Sequence, residues 1–432
     1  MLELDVFLEA QPTPVGRLAR DEHGDISFRY LRDDLPHPIS TSLPVEEKPF
    51  GDNEARGFFD NLLFENAQRD QIMQRHGLDH SDTIGLLYHL GRDCPGAISV
   101  VPRGEGPAKQ PGNLDTDYDP LDDDALRDLM ISLRDRRRVP DGTGDPSPLA
   151  GVQGKVAVAI LPDGRFGFPG SGLNVPTTHI LKVPRAAEMR LVDHENVSMQ
   201  IAQDVLTHPV ADTSILEFED VRGLLIERFD RQVEGAQVRR IHQEDFCQAL
   251  GLGPTLKYER NGVDERAFSA RRVAELILSC DSPGQTRQAF LEGALVNLLL
   301  GNTDNHAKNH GLLYHGARPQ LAPFYDIVPA LLDDQVTHQM SFKIGAAEMT
   351  DDITTEDIAR FLRDLGYRRM TPKLKSRLCE IVSALVARVP EMRGPGMKRL
   401  GDAIAEQARW LGPAIGCDVD VPERDLVIIN RL

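Results

Sequence analysis

The sequence predicts an α+β chain whose strands are gathered ahead of its helices. Three observations predict it. Residues 2–31 and 155–230 carry short apolar runs of strand length, punctuated by turn residues. Beyond residue 240 the apolar period is that of helices almost to the end. The two kinds of element are segregated, which is unlike the alternating βαβ pattern of a parallel sheet.

In order, "LELDVFLEA" and "DISFRYL" read as strands, and "EARGFFDNLLFENAQRDQIMQRHG" as helix. "GAISVVP" is a short buried-strand pattern and closes a β-rich first region, 1–105. "RGEGPAKQPGNLDTDYDP" is rich in Gly, Pro and acid and reads as a linker. "LDDDALRDLMISLRDRRR" follows, with acids early and arginines late, as the helix dipole favours. With the breaker-rich "VPDGTGDPSP" it completes an acidic connecting region, 106–148. Strands dominate the third region, 149–235: "KVAVAILP", "THILKVP", "TSILEFE" and "GLLIERFD". The fourth, 236–432, is helical. In it "TTEDIARFLRDLG" carries a Thr354…Asp357 capping box and a terminal Gly366. No internal repeat is visible.

Composition bounds the function. The chain has 432 residues, 41% hydrophobic and 27% charged, as an ordinary globular protein has. It is long enough for two or three domains. No apolar run is long enough to span a bilayer, and "MLELDVFLEA" has neither the basic start nor the apolar stretch of a signal peptide. The five cysteines, at 94, 247, 280, 379 and 417, form no C-x-x-C pair, so neither a zinc site nor a disulfide framework is expected. A reducing cytoplasm is the expected home. The formal net charge of −18 repels phosphate backbones at long range, so any place on DNA would depend on a basic partner.

The strongest chemical signal is "GNTDNHAKNHGLLYHGARPQLAPFYD", Gly301 to Asp326. "FLEGALVNLLLGN" predicts a buried helix stopped by Gly301, so Asp304 begins a loop at the helix end. Asp304 can accept a hydroxyl proton. Asn309, five residues on, can offer an amide oxygen to Mg²⁺. Asp326 lies beyond a strand–turn–strand and can bridge the metal to phosphate oxygens. His306 can orient the loop by hydrogen bonds; taken alone it reads more readily as a satisfied structural histidine. A metal-hydrolase reading of "D-x-H" lacks ligands.

Weaker signals lie upstream. "LAGVQGK" brings two glycines, Gln153 and Lys155 into a strand; it suits phosphate contact by backbone N–H groups, or a plain hairpin turn. Lys182 sits in an apolar strand, as a snorkelling lysine or as a point charge for phosphates. Glu195, read in the first turn of the next helix, is its candidate carboxylate partner or a solvated acid. "LLIERFDR" ends a strand in charges, and Glu227 and Phe229 are the positions that could meet an adenine edge.

The segments "LAGVQGK", "PTTHILK", "IERFDR", "QEDFCQALG", "KYE", "NTDNHAKN" and "APFYDIV" occur in that order. Together they resemble the HipA family of serine/threonine kinases, toxins of bacterial toxin–antitoxin modules. "STSLP" and "FFDNLLFEN" resemble the N-terminal β domain of that family. The resemblance covers most of the chain. It implies a two-lobed protein-kinase-like fold that binds ATP with Mg²⁺, with a strand-rich lobe at 149–235 and a helical lobe at 236–432.

By position, the resemblance makes Asp304 the catalytic base, with His306 beside it, and Asn309 and Asp326 the metal ligands. Gly151, Val152, Gln153, Gly154 and Lys155 become the phosphate loop, Lys182 the phosphate lysine, and Glu227 with Phe229 the adenine hinge. Gln243, Lys257, Tyr258 and Tyr325 fall near the nucleotide or substrate, and Lys343 matches more loosely. The family usually has a loop serine where this chain has Pro148; Ser147, one place earlier, is the expected autophosphorylation position. The implied partners are a small helix-turn-helix (HipB-like) antitoxin, operator DNA through that antitoxin alone, and a protein substrate such as an aminoacyl-tRNA synthetase. No membrane partner is implied.

Overall fold

The computed structural model describes residues 2–63, 73–79, 81–140, 154–394 and 396–431. The chain divides into two compact units. One holds residues 1–189, 214–254 and 311–319; the other holds 190–213, 255–310 and 320–432.

The first unit begins with a four-stranded antiparallel sheet in the order Ile26–Tyr30, Gly16–Arg20, Leu2–Leu8, Ile98–Pro102. Its register sets Leu4 opposite Leu18 and Val6 opposite Val100, so one face is apolar. That face packs with Phe28, Phe58, Phe59 and Ile84, all fully buried. Truncating a phenylalanine in such a core costs about 3–5 kcal/mol. The helix Asp52–Phe59 approaches Gly251 so closely that a side chain at Gly57 would lie 2.6 Å from the Gly251 carbonyl oxygen. Only glycine fits there.

A six-stranded sheet follows, in the order Thr213–Phe218, Val221–Glu227, His179–Val183, Gly154–Ile160, Phe166–Pro169, Tyr118–Pro120. The helix Asp123–Arg136 covers it with Leu126, Leu129, Met130 and Leu133, packed on Val156, Val158, Leu181 and Val221. The Asp122 side chain caps this helix by accepting from the Ala125 N–H at 2.8 Å. Gly154 starts its strand against the same helix, where a Cβ would stand 2.4 Å from the Leu133 carbonyl oxygen.

The stretch expected to be a linker, 103–120, is part of this fold. Gly112–Asn113 pairs with Gln237–Arg240, and Tyr118–Pro120 pairs with Phe166–Pro169. Lys109, within the same stretch, is 2% exposed. Polar composition suggested solvent, but these strands of two and three residues are defined by their partners, which composition cannot show.

The second unit is built on the helix Pro283–Leu299, buried along most of its length. The helices Pro372–Arg388 and Met397–Ile415 pack on it, and Thr355–Asp364 packs on Met397–Ile415. The Thr354…Asp357 capping box forms, and Gly366 takes the left-handed conformation at φ +85° that a helix stop favours. Helix Arg190–Val205 begins five residues before Glu195, so this acid lies in the second turn rather than the first, and is 3% exposed. The expectation for the cysteines is overturned: Cys379 and Cys417 form a disulfide. Helices 372–388 and 397–415 pack antiparallel-fashion side by side and bring together cysteines that sequence spacing held apart.

Candidate active site

The helix Pro283–Leu299 sets the position of the acid-and-amide loop. Gly301 ends it at φ +76°, and the Asn302 N–H turns back to the Asn297 carbonyl at 2.8 Å. Three further bonds tie the loop down. Ser341 donates to the Thr303 carbonyl from its N–H (3.0 Å) and its hydroxyl (2.9 Å), and the Ala307 N–H donates to the Lys257 carbonyl at 3.0 Å. Residues 301–303, 305, 307, 309 and 310 are buried, while Asp304 is exposed. A fixed loop thus presents one carboxylate to solvent.

Around Asp304 the bonds are specific. Tyr258 donates its hydroxyl to Asp304 Oδ1 at 2.7 Å. The Asp304 carbonyl accepts from the His306 N–H at 2.9 Å and from Asn309 Nδ2 at 3.0 Å. With Nδ2 committed, Asn309 has its Oδ1 to offer a cation. Burial pushes the His306 imidazole below its usual pKa; the charges of Asp304 and Asp326 oppose this, and Lys257 adds to it. A neutral ring beside two carboxylates can orient the loop without neutralising them.

Asp326 is referenced to the same helix. Phe324 lies against Gly293, where a Cβ would meet its ring at 2.3 Å. The Phe324 N–H donates to the Pro209 carbonyl, and the Tyr325 hydroxyl donates to the Lys308 carbonyl at 2.8 Å. Asp326 then adopts φ +59°, an uncommon conformation for a residue with a side chain. Asn302 spans the two acids: its Oδ1 accepts from the Asp304 N–H at 3.2 Å, and its Nδ2 donates to the Asp326 carbonyl at 3.3 Å. Asn302 is 2% exposed, and sequence reasoning missed it, although it stands next to the glycine that stops the helix. Among the described residues no three His, Cys, Asp or Glu side chains cluster as a metal site. One carboxylate with an amide oxygen suits Mg²⁺, which keeps waters and takes phosphate oxygens.

In the first unit, Lys155 and Lys182 are direct cross-strand partners, so two like charges share one face of the sheet. Such a pair is unfavourable unless an anion offsets it. The strand Val221–Glu227 leads into a turn in which Arg228 and Asp230 are buried while Glu227 is exposed and Phe229 half-buried. The Arg228 N–H is committed to the Thr178 carbonyl at 3.0 Å. Gln243 donates to Asp230 Oδ2 at 3.2 Å, so it supports this turn from behind. Glu244 was missed: it is buried and accepts from Ser40, Thr41 and Tyr314, which ties "STSLP" to "QED" in the fold. In the second unit, Lys343 pairs with Glu348 at 2.7 Å. Gly151, Val152, Gln153 and Ser147 lie outside the described residues.

These features define a class of chain with an exposed acid on a fixed loop, an amide and a second acid held to one helix, and paired lysines on a sheet. Comparison with known proteins assigns it. Residues 4–101 match the HipA N-terminal domain and residues 147–392 the HipA-like C-terminal domain. A putative kinase, Y4mE of Sinorhizobium fredii, is 32% identical over 87% of this chain and 90% of its own length. The serine/threonine-protein kinase toxin HipA of Shewanella oneidensis is 31% identical over 82% of each. The solved complex of Shewanella oneidensis MR-1 HipA, HipB and operator DNA contains a chain with TM-score 0.78 and 27% identity, covering 96% of this chain and 100% of that one. The chain belongs to the HipA family and is a serine/threonine-protein kinase by class.

Proposed function

We propose that the chain transfers the γ-phosphoryl group of ATP to a protein serine or threonine, as the toxin of a toxin–antitoxin pair. The observation that carries this is the Asp304–Asn309–Asp326 set, held by one helix end and one buried amide, Asn302. Asp304, exposed and held on Oδ1 by Tyr258, keeps Oδ2 to accept the substrate hydroxyl proton. Asn309 Oδ1 and the Asp326 carboxylate would hold Mg²⁺, which neutralises charge on the transferring phosphate. Lys155 and Lys182 would take phosphate oxygens, with Gly154 at the end of the phosphate loop. Glu227 and Phe229 would meet the adenine, Gln243 would support their turn, and Tyr325 would support the metal ligands. The six-stranded sheet of the first unit would then be the strand-rich lobe of a kinase-like fold, the N-terminal β domain belonging to the same unit, and the second unit would be the helical lobe.

The partner we propose is a HipB-like antitoxin, by analogy with the Shewanella oneidensis complex. A net charge of −18 suits contact with operator DNA through that basic partner rather than directly. The proposed substrate is a translation-related protein such as an aminoacyl-tRNA synthetase. The test is incubation of purified protein with Mg²⁺, radiolabelled ATP and a cell lysate. Label on one protein band in the wild type, absent with Asp304→Ala, supports the reading. Label on small molecules alone, or none, overturns it.

A further inference from the structure

The first unit buries a cluster of ionic side chains that joins the N-terminal β domain to the turn after strand Val221–Glu227. Four cations, Lys109, Arg228, Arg231 and Arg240, meet three carboxylates, Glu9, Asp93 and Asp230. Each of these side chains is at most 10% exposed. Arg231 and Arg240 are direct cross-strand partners, so two guanidiniums face each other in the interior. That pairing is tolerable only because carboxylates reach them from elsewhere in the chain. Glu9 binds the Arg240 side chain and accepts from its N–H at 2.7 Å. Asp93 pairs with Lys109 and stands 3.8 Å from Arg240 Nη1.

The other face of the cluster fixes the turn. Arg231 donates from Nε to the Thr177 carbonyl at 2.8 Å and from Nη1 to the Asp230 carbonyl at 2.9 Å. Arg228 holds both Asp230 oxygens at 3.0 Å, and the Arg231 N–H closes the turn on the Arg228 carbonyl at 3.2 Å. Phe229 lies between these clamped residues, so its direction depends on where the two arginines stay. Asp93 lowers the cost of both buried arginines electrostatically, although it lies in the N-terminal domain.

We propose that Asp93, through Lys109, Arg240 and Arg231, is a positioning residue that holds the Arg228–Arg231 turn in the geometry that binds nucleotide. The inference rests on the reading of Glu227 and Phe229 as the adenine contact. Asp93→Asn keeps the shape but leaves four cations against two carboxylates. Asp93→Asn with Lys109→Met leaves three against two and restores the original excess of one. The N-terminal domain would thereby act on nucleotide affinity without touching nucleotide.

The experiment measures Mg·ADP affinity by calorimetry, with kcat and KM for ATP, on full-length protein whose fold is checked by thermal melting. Asp93→Asn should weaken Mg·ADP about tenfold, the effect of one disturbed buried interaction, with kcat at saturating ATP within about twofold. The double variant should recover most of that affinity. A purely structural role would lower Tm in both variants with no such recovery. Glu9→Gln, which unbalances the cluster from its opposite side, should act in the same direction and serves if Asp93→Asn does not fold. Unchanged affinity in Asp93→Asn or Glu9→Gln, beside a clear loss in Phe229→Ala, overturns the inference alone. Unchanged affinity in Phe229→Ala as well overturns the adenine reading and the inference with it.

Discussion

Tyr258 donates its hydroxyl to Asp304 Oδ1 at 2.7 Å, and its own ring is held by the Arg260 guanidinium 4.0 Å from the ring centroid. The pair joins two loops 46 residues apart. It fixes which carboxylate oxygen remains for a substrate. A hydrogen bond to a charged group contributes roughly 1.5–3 kcal/mol, so Tyr258→Phe should lower kcat by about 10- to 100-fold. The KM for ATP should change less than kcat, because the contact anchors the acid proposed to take the substrate proton. Wild-type kcat in Tyr258→Phe would show that Asp304 needs no such anchor.

Asp326 carries a second prediction, because its backbone and its side chain can be separated. At φ +59° glycine is at ease and aspartate is not. Asp326→Gly should therefore melt no lower than wild type, while Asp326→Asn keeps a similar backbone preference. Both should lose activity by about 10²-fold or more, since each removes a full charge from the proposed metal ligand. Thermal melts and kinase rates measured together check this. Retained activity in either variant sinks the ligand assignment.

The loop Gly301–Asn309 was legible because its signals are local. A buried helical run, a stopping glycine and the Asp–Asn spacing all lie within 27 residues of chain, 283–309. Asn302 and Glu244 were not legible, because what they do depends on distant partners. Ser40 and Glu244 are 204 residues apart, and nothing near either one shows the other. The stretch 103–120 failed for the same reason: its short strands exist through pairing with residues near 167 and 238. Strand and helix types were read correctly where apolar period was strong, as in 154–160 and 355–364.

A third prediction concerns acid. His242 is 3% exposed, and burial lowers its pKa to about 3. Its Nε2 lies 2.9 Å from the Ile39 carbonyl and its Nδ1 faces the Ala97 N–H at 3.5 Å. One nitrogen must donate and the other accept, which only the neutral ring can do. The folded pKa is below the unfolded value of 6.5, so the folded state resists protonation. This contribution is full above about pH 6.5 and is lost as pH falls towards 3. The melting temperature should fall over that range in wild type. In His242→Leu the fall should be shallower, even though that variant starts lower. Equal slopes in the two proteins would show that other groups govern acid unfolding.

The last prediction concerns the disulfide between Cys379 and Cys417, which closes a loop of 38 residues. Cys379 lies within helix 372–388, and Cys417 follows the glycine that caps helix 397–415 at φ +83°. Both helices pack on helix 283–299, whose end carries Asp304. Cross-linking a loop of this length restricts the unfolded chain and is worth about 3–4 kcal/mol in the entropic account. A reductant should therefore lower the melting temperature of the wild type by several degrees. Cys379→Ser and Cys417→Ser should each melt like the reduced wild type, and reductant should move neither further. The rate of phosphoryl transfer well below the melt should be the same in all three proteins, because no bond to Asp304, Asn309 or Asp326 passes through either sulfur. A wild type whose melt ignores reductant, while intact mass shows the bond is present, would mean that the loop is already constrained in the unfolded chain. A change in rate without a change in melt would place the sulfur pair in the chemistry instead.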